Sequence, residues 1–165
     1  DSLAVHCLPK LGKMPREDDP FASVRVYPAD TALCVEALRG KGRDIALDHG
    51  AFGKAMRAFC INQLVPAAQW AAEPTWCCHW RRFDRKVRSV DLVLARKGRL
   101  VGIQMRNSAV VRGGDVGVLR LLEKDKRFER GYILYQGAST VRLSERVWAL
   151  PVSALWEEWA FCPVV

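Results

Sequence analysis

The chain has no Cys-x-x-Cys pair, no internal repeat and no low-complexity tract. Those absences exclude the common zinc ribbons, solenoid arrays and compositionally disordered linkers. No stretch approaches the ~20 apolar residues that span a bilayer, so no membrane partner is expected. Acidic residues are also scarce: 18 Asp and Glu stand against 26 Lys and Arg, a formal net charge of +8. An imbalance of that size favours polyanionic partners, nucleic acid above all. The six cysteines (Cys7, Cys34, Cys60, Cys77, Cys78 and Cys162) lack the regular spacing of a disulfide framework. Several lie in apolar surroundings, where a thiol behaves as a small hydrophobe. Asp1-Ser2-Leu3 has neither the basic nor the apolar region of a secretory signal, so a reducing cytoplasm is the expected compartment. The absence of an initiator Met fits a piece of a longer polypeptide.

What is present is ordinary globular material. At 165 residues, 50% of them hydrophobic, the chain can bury one sizeable core. Residues 1–28 hold four prolines and a charged break at Arg16–Asp19, and are expected to be irregular and partly extended. The remainder, 29–165, is expected to form a single domain. Ala29–Leu38 predicts a short helix ended by Gly40-Lys41-Gly42. A largely buried helix is expected from Ala51 to Val65, stopped by Pro66. Further expectations are a strand at Trp76–Trp80, a helix near Asp115–Lys124, a strand at Tyr132–Tyr135 and one or two more within Val141–Leu150. Ser153–Trp159 predicts a terminal helix capped by Ser153. Helices around several short strands indicate an α/β or α+β class.

Residues 89–106, SVDLVLARKGRLVGIQMR, are the most informative segment. They predict two strands joined by a tight turn at Lys97-Gly98. Folding about that turn pairs Arg96 with Arg99, Leu94 with Val101 and Asp91 with Gln104. Alternation then places Val90, Leu92, Leu94, Val101, Ile103 and Met105 on one apolar face. Asp91, Gln104 and Arg106 gather on the other, the pattern of a site or of the remains of one.

The preceding segment, Trp80-Arg81-Arg82-Phe83-Asp84-Arg85-Lys86-Val87-Arg88, sets five cations against one Asp, with two aromatics interleaved. Trp80, Arg81, Arg82, Arg85, Lys86 and Arg88 are therefore candidate nucleic-acid contacts. The competing expectation is an edge strand kept from aggregating by its charge. Cys77-Cys78-His79 is a poor metal site, because adjacent strand residues point to opposite faces, and no metal ligand set is expected. His49 is expected to cap the buried helix or lie on the surface. The six tryptophans are expected to pack the core, an exposed subset indicating an interface.

The order of these motifs resembles the C-terminal domain of a widespread family of bacterial and archaeal AAA-type P-loop ATPases. Tyr27–Leu33 is similar to that family's Y-x-x-D-x-G-L segment, and Phe52–Phe59 to its F-G-x-x-x-E-x-F helix. Trp80-Arg81 corresponds to W-R, Ser89-Val90-Asp91 to E-V-D and Ile103-Gln104-Met105-Arg106 to I-E-V-K. Gly131–Gly137 and Trp148–Trp156 correspond to the closing strand and helix. The resemblance implies a restriction-endonuclease-like PD-(D/E)XK fold, a mixed β-sheet flanked by helices. It also implies that the family's catalytic positions fall at Arg57, Asp91, Gln104 and Arg106. Only Asp91 keeps the family's residue there; Arg57 and Gln104 stand where a nuclease-like site has Glu, and Arg106 where it has Lys. The ATP-binding motif is missing: a P-loop around Gly53-Lys54 would need Gly at position 48, where Asp48 stands.

Hydrolysis by a hard cation needs hard anionic oxygen ligands. One added like charge at ~4 Å costs about 4 kcal/mol at an effective dielectric near 20, and roughly twice that for a divalent ion. Arg106 cannot readily shed a proton to act as a base. A degenerate, non-catalytic site is therefore expected, with no cofactor. In it Asp91 pairs with Arg106 or Arg57 while Gln104 bonds the carboxylate, or else the positive site holds a phosphate. The expected function is an accessory domain of an ATPase-type protein that binds DNA or RNA. One alternative is a Mg²⁺- or Mn²⁺-dependent nuclease drawing carboxylates from Glu36, Asp48 or Asp115. Another is a protein-interaction module using exposed Trp and the apolar 160–165 tail.

Overall fold

The computed structural model describes residues 5–12, 24–42, 44–83 and 87–157. Its elements in order are β1 (Val5–Pro9), β2 (Val24–Pro28), α1 (Thr31–Arg39), α2 (His49–Trp70), β3 (Trp76–Phe83), β4 (Val87–Arg96), β5 (Arg99–Arg106), α3 (Gly117–Leu122), β6 (Phe128–Tyr135), β7 (Val141–Arg142) and β8 (Val147–Pro151). Six strands form one mixed sheet in the order β3-β4-β5-β6-β8-β7, and β1 and β2 form a separate antiparallel pair. The protein is a mixed α/β structure.

The β4–β5 hairpin organises the sheet. Lys97 (φ 47°) and Gly98 (φ 73°) both adopt the left-handed conformation of a two-residue hairpin turn. That turn fixes Arg96 opposite Arg99, Leu94 opposite Val101 and Leu92 opposite Ile103. β5 then pairs in parallel with β6, and β6 with β8. A strand in the middle of such a sheet is buried on both faces, which explains the near-continuous apolar run of β4. One face packs Leu92, Leu94, Val101, Ile103 and Met105 against Met56, Cys60, Ile61 and Leu64 of α2. The other packs Val90, Val93, Leu100 and Ile133 against Leu119 and Leu122 of α3.

Val90 thus lies on the face opposite to Leu92, not beside it as strict alternation predicts. The cause is a β-bulge. Cys78 pairs with Val93 but Trp80 pairs with Val90, so two steps along β3 match three along β4. The extra residue falls at Asp91–Leu92 and reverses the facing of everything N-terminal to it.

Other expectations are corrected locally. The 1–28 segment is not wholly irregular, since Val5 to Pro9 pair in antiparallel register with Pro28 to Val24. Helix α2 does not stop at Pro66 but runs on to Trp70. A proline inside a helix costs about 3 kcal/mol. Burial of Leu64, Val65 and Ala68 on either side of it opposes that cost. Asp48 caps α2, accepting from the amides of Gly50 and Ala51, and His49 lies on the surface, the second of the two places expected for it. The helix near Asp115 is a 3₁₀ turn (Gly113–Val116) leading into the short α3. Val152–Trp156 is likewise 3₁₀, and Pro151 rather than Ser153 precedes it. Trp159 and the 160–165 tail lie outside the described residues, as does Cys162. Trp70, Trp76 and Trp156 are exposed rather than packed in the core. Among the described residues no helix is long and apolar enough to cross a membrane.

Candidate functional site

Asp91 sits at the bulge with only 3% of its surface exposed. A carboxylate so placed must be satisfied on both oxygens. Oδ2 accepts from the Gln104 side-chain amide at 2.8 Å and from the Met105 backbone N–H at 2.9 Å. Oδ1 is faced by Arg57 Nε at 3.2 Å and by Arg25 Nη1 at 3.3 Å. The two guanidinium-bearing side chains keep 35% and 27% exposure, so charge is delivered from the solvent edge to a buried anion. Two arginines against one aspartate leave the cluster with a formal charge of +1, the reverse of a divalent-cation site.

Each member arrives on a different element. Arg57 lies on α2, two turns in from its cap; Arg25 lies on β2; Gln104 and Met105 lie on β5. The approach of α2 depends on Gly53: a side chain there would meet Asn107 Cβ at 3.3 Å. Asn107 in turn donates to the His49 carbonyl at 2.6 Å and accepts from Gln136 at 2.8 Å, tying the start of α2 to the sheet ends. Burial, reinforced by Asp91, pushes the Tyr27 phenol above its ordinary value. The same causes push the Cys60 thiol up to about 12.

Of the sequence-predicted residues, Asp91, Gln104 and Arg57 come together. Arg106 does not: its Nε faces Asp115 Oδ1 at 3.3 Å instead. The bulge accounts for the separation, because it takes Asp91 out of the simple alternation that aligned the three. Arg25 was missed, being 66 residues from Asp91 in a segment expected to be irregular. Its signal was the alternating Val24-Arg25-Val26-Tyr27. Gln104, 7% exposed, spends its amide on Asp91 and leaves Oε1 buried without a hydrogen-bond partner.

The carboxylates that might rebuild a nuclease site are engaged elsewhere. Glu36 pairs with Arg39, Asp48 caps α2 and Asp115 holds Arg106. Among the described residues no three of His, Cys, Asp and Glu converge to hold a metal ion. Cys77 and Cys78 pack into the cores on opposite sides of the sheet. Burial pushes their thiols up to about 11 and about 12.

The basic segment occupies the end of the β3–β4 hairpin. Arg81, Arg82, Phe83, Val87 and Arg88 are all exposed, Phe83 at 82%. Arg82 lies directly opposite Arg88, and Phe83 opposite Val87. Like charges opposed across a ladder repel. Neither Arg82 nor Arg88 forms an ion pair among the described residues. Trp80 is partly buried against the α3-side core. Arg85 and Lys86 lie outside the described residues.

The fold and the site define an α/β domain with an arginine-locked aspartate at the root of a basic ribbon. It belongs to the family described as a domain of unknown function, DUF4143, whose model matches residues 52–155. No curated protein and no solved structure matches the chain.

Proposed function

We propose that this is a non-catalytic accessory domain of an ATPase-type protein, a degenerate PD-(D/E)XK scaffold that binds nucleic acid through the β3–β4 ribbon. The observation that carries the reading is the Arg82–Arg88 pair. Two exposed arginines that face each other across the ladder set like charges side by side, an arrangement that a phosphate taken between them turns from unfavourable to favourable. Phe83, exposed on the other face of the hairpin with Arg81, supplies apolar contact for a base or sugar. The net charge of +8 favours the encounter.

The absence of catalysis follows from Asp91. A metal arriving there would have to displace two arginines and two N–H donors from a buried carboxylate, and would find no second carboxylate waiting among the described residues. The domain thus needs no cofactor. Its link to an ATPase, and the nuclease-like ancestry, rest on the motif resemblance. A protein-docking role for the exposed Trp70, Trp76 and Trp156 is the competing reading.

Titration of labelled DNA and RNA across a salt series tests the proposal, with plasmid cleavage followed in Mn²⁺. Binding that weakens steeply with salt, without cleavage, is the expected result. Mn²⁺-dependent cleavage lost in Asp91→Ala would replace it with the nuclease. Absence of binding together with a concentration-dependent mass would favour the docking module.

A further inference from the structure

At the edge of the sheet opposite the ribbon, two arginines converge on one tryptophan. Tyr132 on β6, Trp148 on β8 and Arg142 on β7 stand in one row across the ladder. Tyr132 and Trp148 face the α2-side core. Arg142, opposite Trp148, and Arg130, two residues before Tyr132, therefore share that face. The guanidinium carbon of Arg130 lies 5.6 Å from the centre of the Trp148 ring, and that of Arg142 lies 5.8 Å from it. Because β8 runs between β6 and β7, the indole receives one cation from each neighbouring strand. Tyr132 packs against the same indole, the ring centres 6.1 Å apart.

A third cation–aromatic contact among the described residues carries its own anion. Arg146 lies 5.4 Å from the Phe128 ring, pairs with Glu123 at 3.8 Å and donates to the Phe128 carbonyl at 2.9 Å. Neither Arg130 nor Arg142 forms an ion pair among the described residues. Glu129, next to Arg130, is paired with Arg99, and Glu145 reaches Arg142 with its backbone carbonyl. An indole attracts cations but cancels no charge. Two positive charges are thus fixed in place with nothing to neutralise them, Arg142 exposed and Arg130 half-buried.

The way Arg142 is held selects the anion. Its Nε donates to the Ser144 carbonyl at 3.2 Å and its Nη2 to the Glu145 carbonyl at 3.3 Å. Those two nitrogens form the side-on edge with which a guanidinium grips a carboxylate. Spent on the backbone, they leave the charge and the flat surface of the group. A phosphodiester is drawn by the charge, and an unpaired base stacks on the flat surface. An acidic peptide, which gains most from the two-pronged edge, is the poorer fit. Bases inside a duplex are already stacked on one another.

We infer that Arg130 and Arg142, braced on Trp148, form a second nucleic-acid contact at the β8–β7 edge, one that takes phosphates and an unpaired base of a single strand. The inference rests on the nucleic-acid reading above. Its test is fluorescence anisotropy of labelled single-stranded oligonucleotides, of the matching duplex and of poly-glutamate, with the parent and with Arg130→Gln, Arg142→Gln combined. Single-strand affinity should fall about tenfold and the salt slope by about 1.4, two contacts at ~0.7 each, with a smaller loss on the duplex. Arg142→Lys keeps the charge and removes the plane, so it should weaken the single strand several-fold and leave the salt slope unchanged. A double variant that binds single strands as the parent does, whatever its melting temperature, reduces the arginines to a brace for the edge strand. That result overturns the inference and leaves the ribbon reading standing. Equal losses on single strand and duplex overturn the single-strand assignment. Poly-glutamate binding more tightly than the single strand, and lost in the double variant, replaces nucleic acid at this edge with an acidic protein. A parent that binds no nucleic acid overturns both readings.

Discussion

Two arginine-rich regions of this domain obey opposite rules. At the root of the ribbon, Arg25 and Arg57 are brought from distant elements to one buried carboxylate whose two oxygens are both engaged. Toward its far end, Arg82 and Arg88 are placed opposite each other, and neither forms an ion pair among the described residues. The same residue type fastens the architecture in one place and, on the function proposed above, is there to meet an external anion in the other. Removing charge at the root should cost stability; removing it toward the far end should cost binding and nothing else.

The sharpest way to break that contrast is Asp91→Ala. It leaves two guanidinium groups, the Gln104 amide and the Met105 N–H without their acceptor. Loss of one partner of a buried pair costs 3–5 kcal/mol, and the partial exposure of both arginines puts this case near the lower end, about 3 kcal/mol. Urea unfolding measures it, and a loss below about 1 kcal/mol would deny the cluster its structural role. Next comes Arg82→Glu with Arg88→Glu. DNA affinity should fall about a hundredfold and the salt slope by about 2, while the unfolding free energy stays within about 0.5 kcal/mol of the parent.

A pH series separates the regions again. Arginines stay charged throughout, so binding should be flat from about pH 6 to 9. The body should weaken above that range. Cys60 and Cys78, with folded values pushed up to about 12, ionise first in the unfolded chain. Their stabilisation is complete below the ordinary thiol value and is lost as pH rises through the folded one, at most about 1.4 kcal/mol per pH unit for each thiol. Thermal melts of the parent and of Cys60→Ala should therefore differ in alkaline slope.

Gln104→Glu should cost about 1–2 kcal/mol at neutral pH by setting two carboxylates side by side. Its acid pKa would be raised on folding. The deficit should therefore fade as pH falls through that raised value and be gone below the ordinary glutamate value, which a stability titration reads directly. The smallest effect is a gain. Arg82→Thr relieves the opposed charges and adds a good strand former, worth up to about 0.5 kcal/mol of stability at the expense of DNA affinity.

Much of this was legible beforehand, for identifiable reasons. The Lys97-Gly98 turn fixes register locally, so Leu94 opposite Val101 followed from the sequence. The contact of Asp91 with Gln104 followed as well, and so did the burial of the apolar positions in the middle of α2, Ala55, Met56, Ala58, Cys60 and Ile61. The bulge was not legible, because Val90-Asp91-Leu92 alternates perfectly and an unpaired residue leaves no mark on composition. Its consequence, the parting of Arg106 from Asp91, was hidden with it. Arg25 was obscured by the prolines that surround its strand. The end of α2 was misplaced because a local rule about Pro66 gave way to packing that only the tertiary structure supplies.

The single surplus residue in β4 has one more consequence. It acts as a frame boundary: the residues distal to it can lengthen, shorten or swap side chains without altering which groups of the sheet point inward. Selection can therefore rewrite the projecting arm while the body beneath stays as it is. Related chains should accordingly differ most between positions 81 and 88 and least around the aspartate at its base.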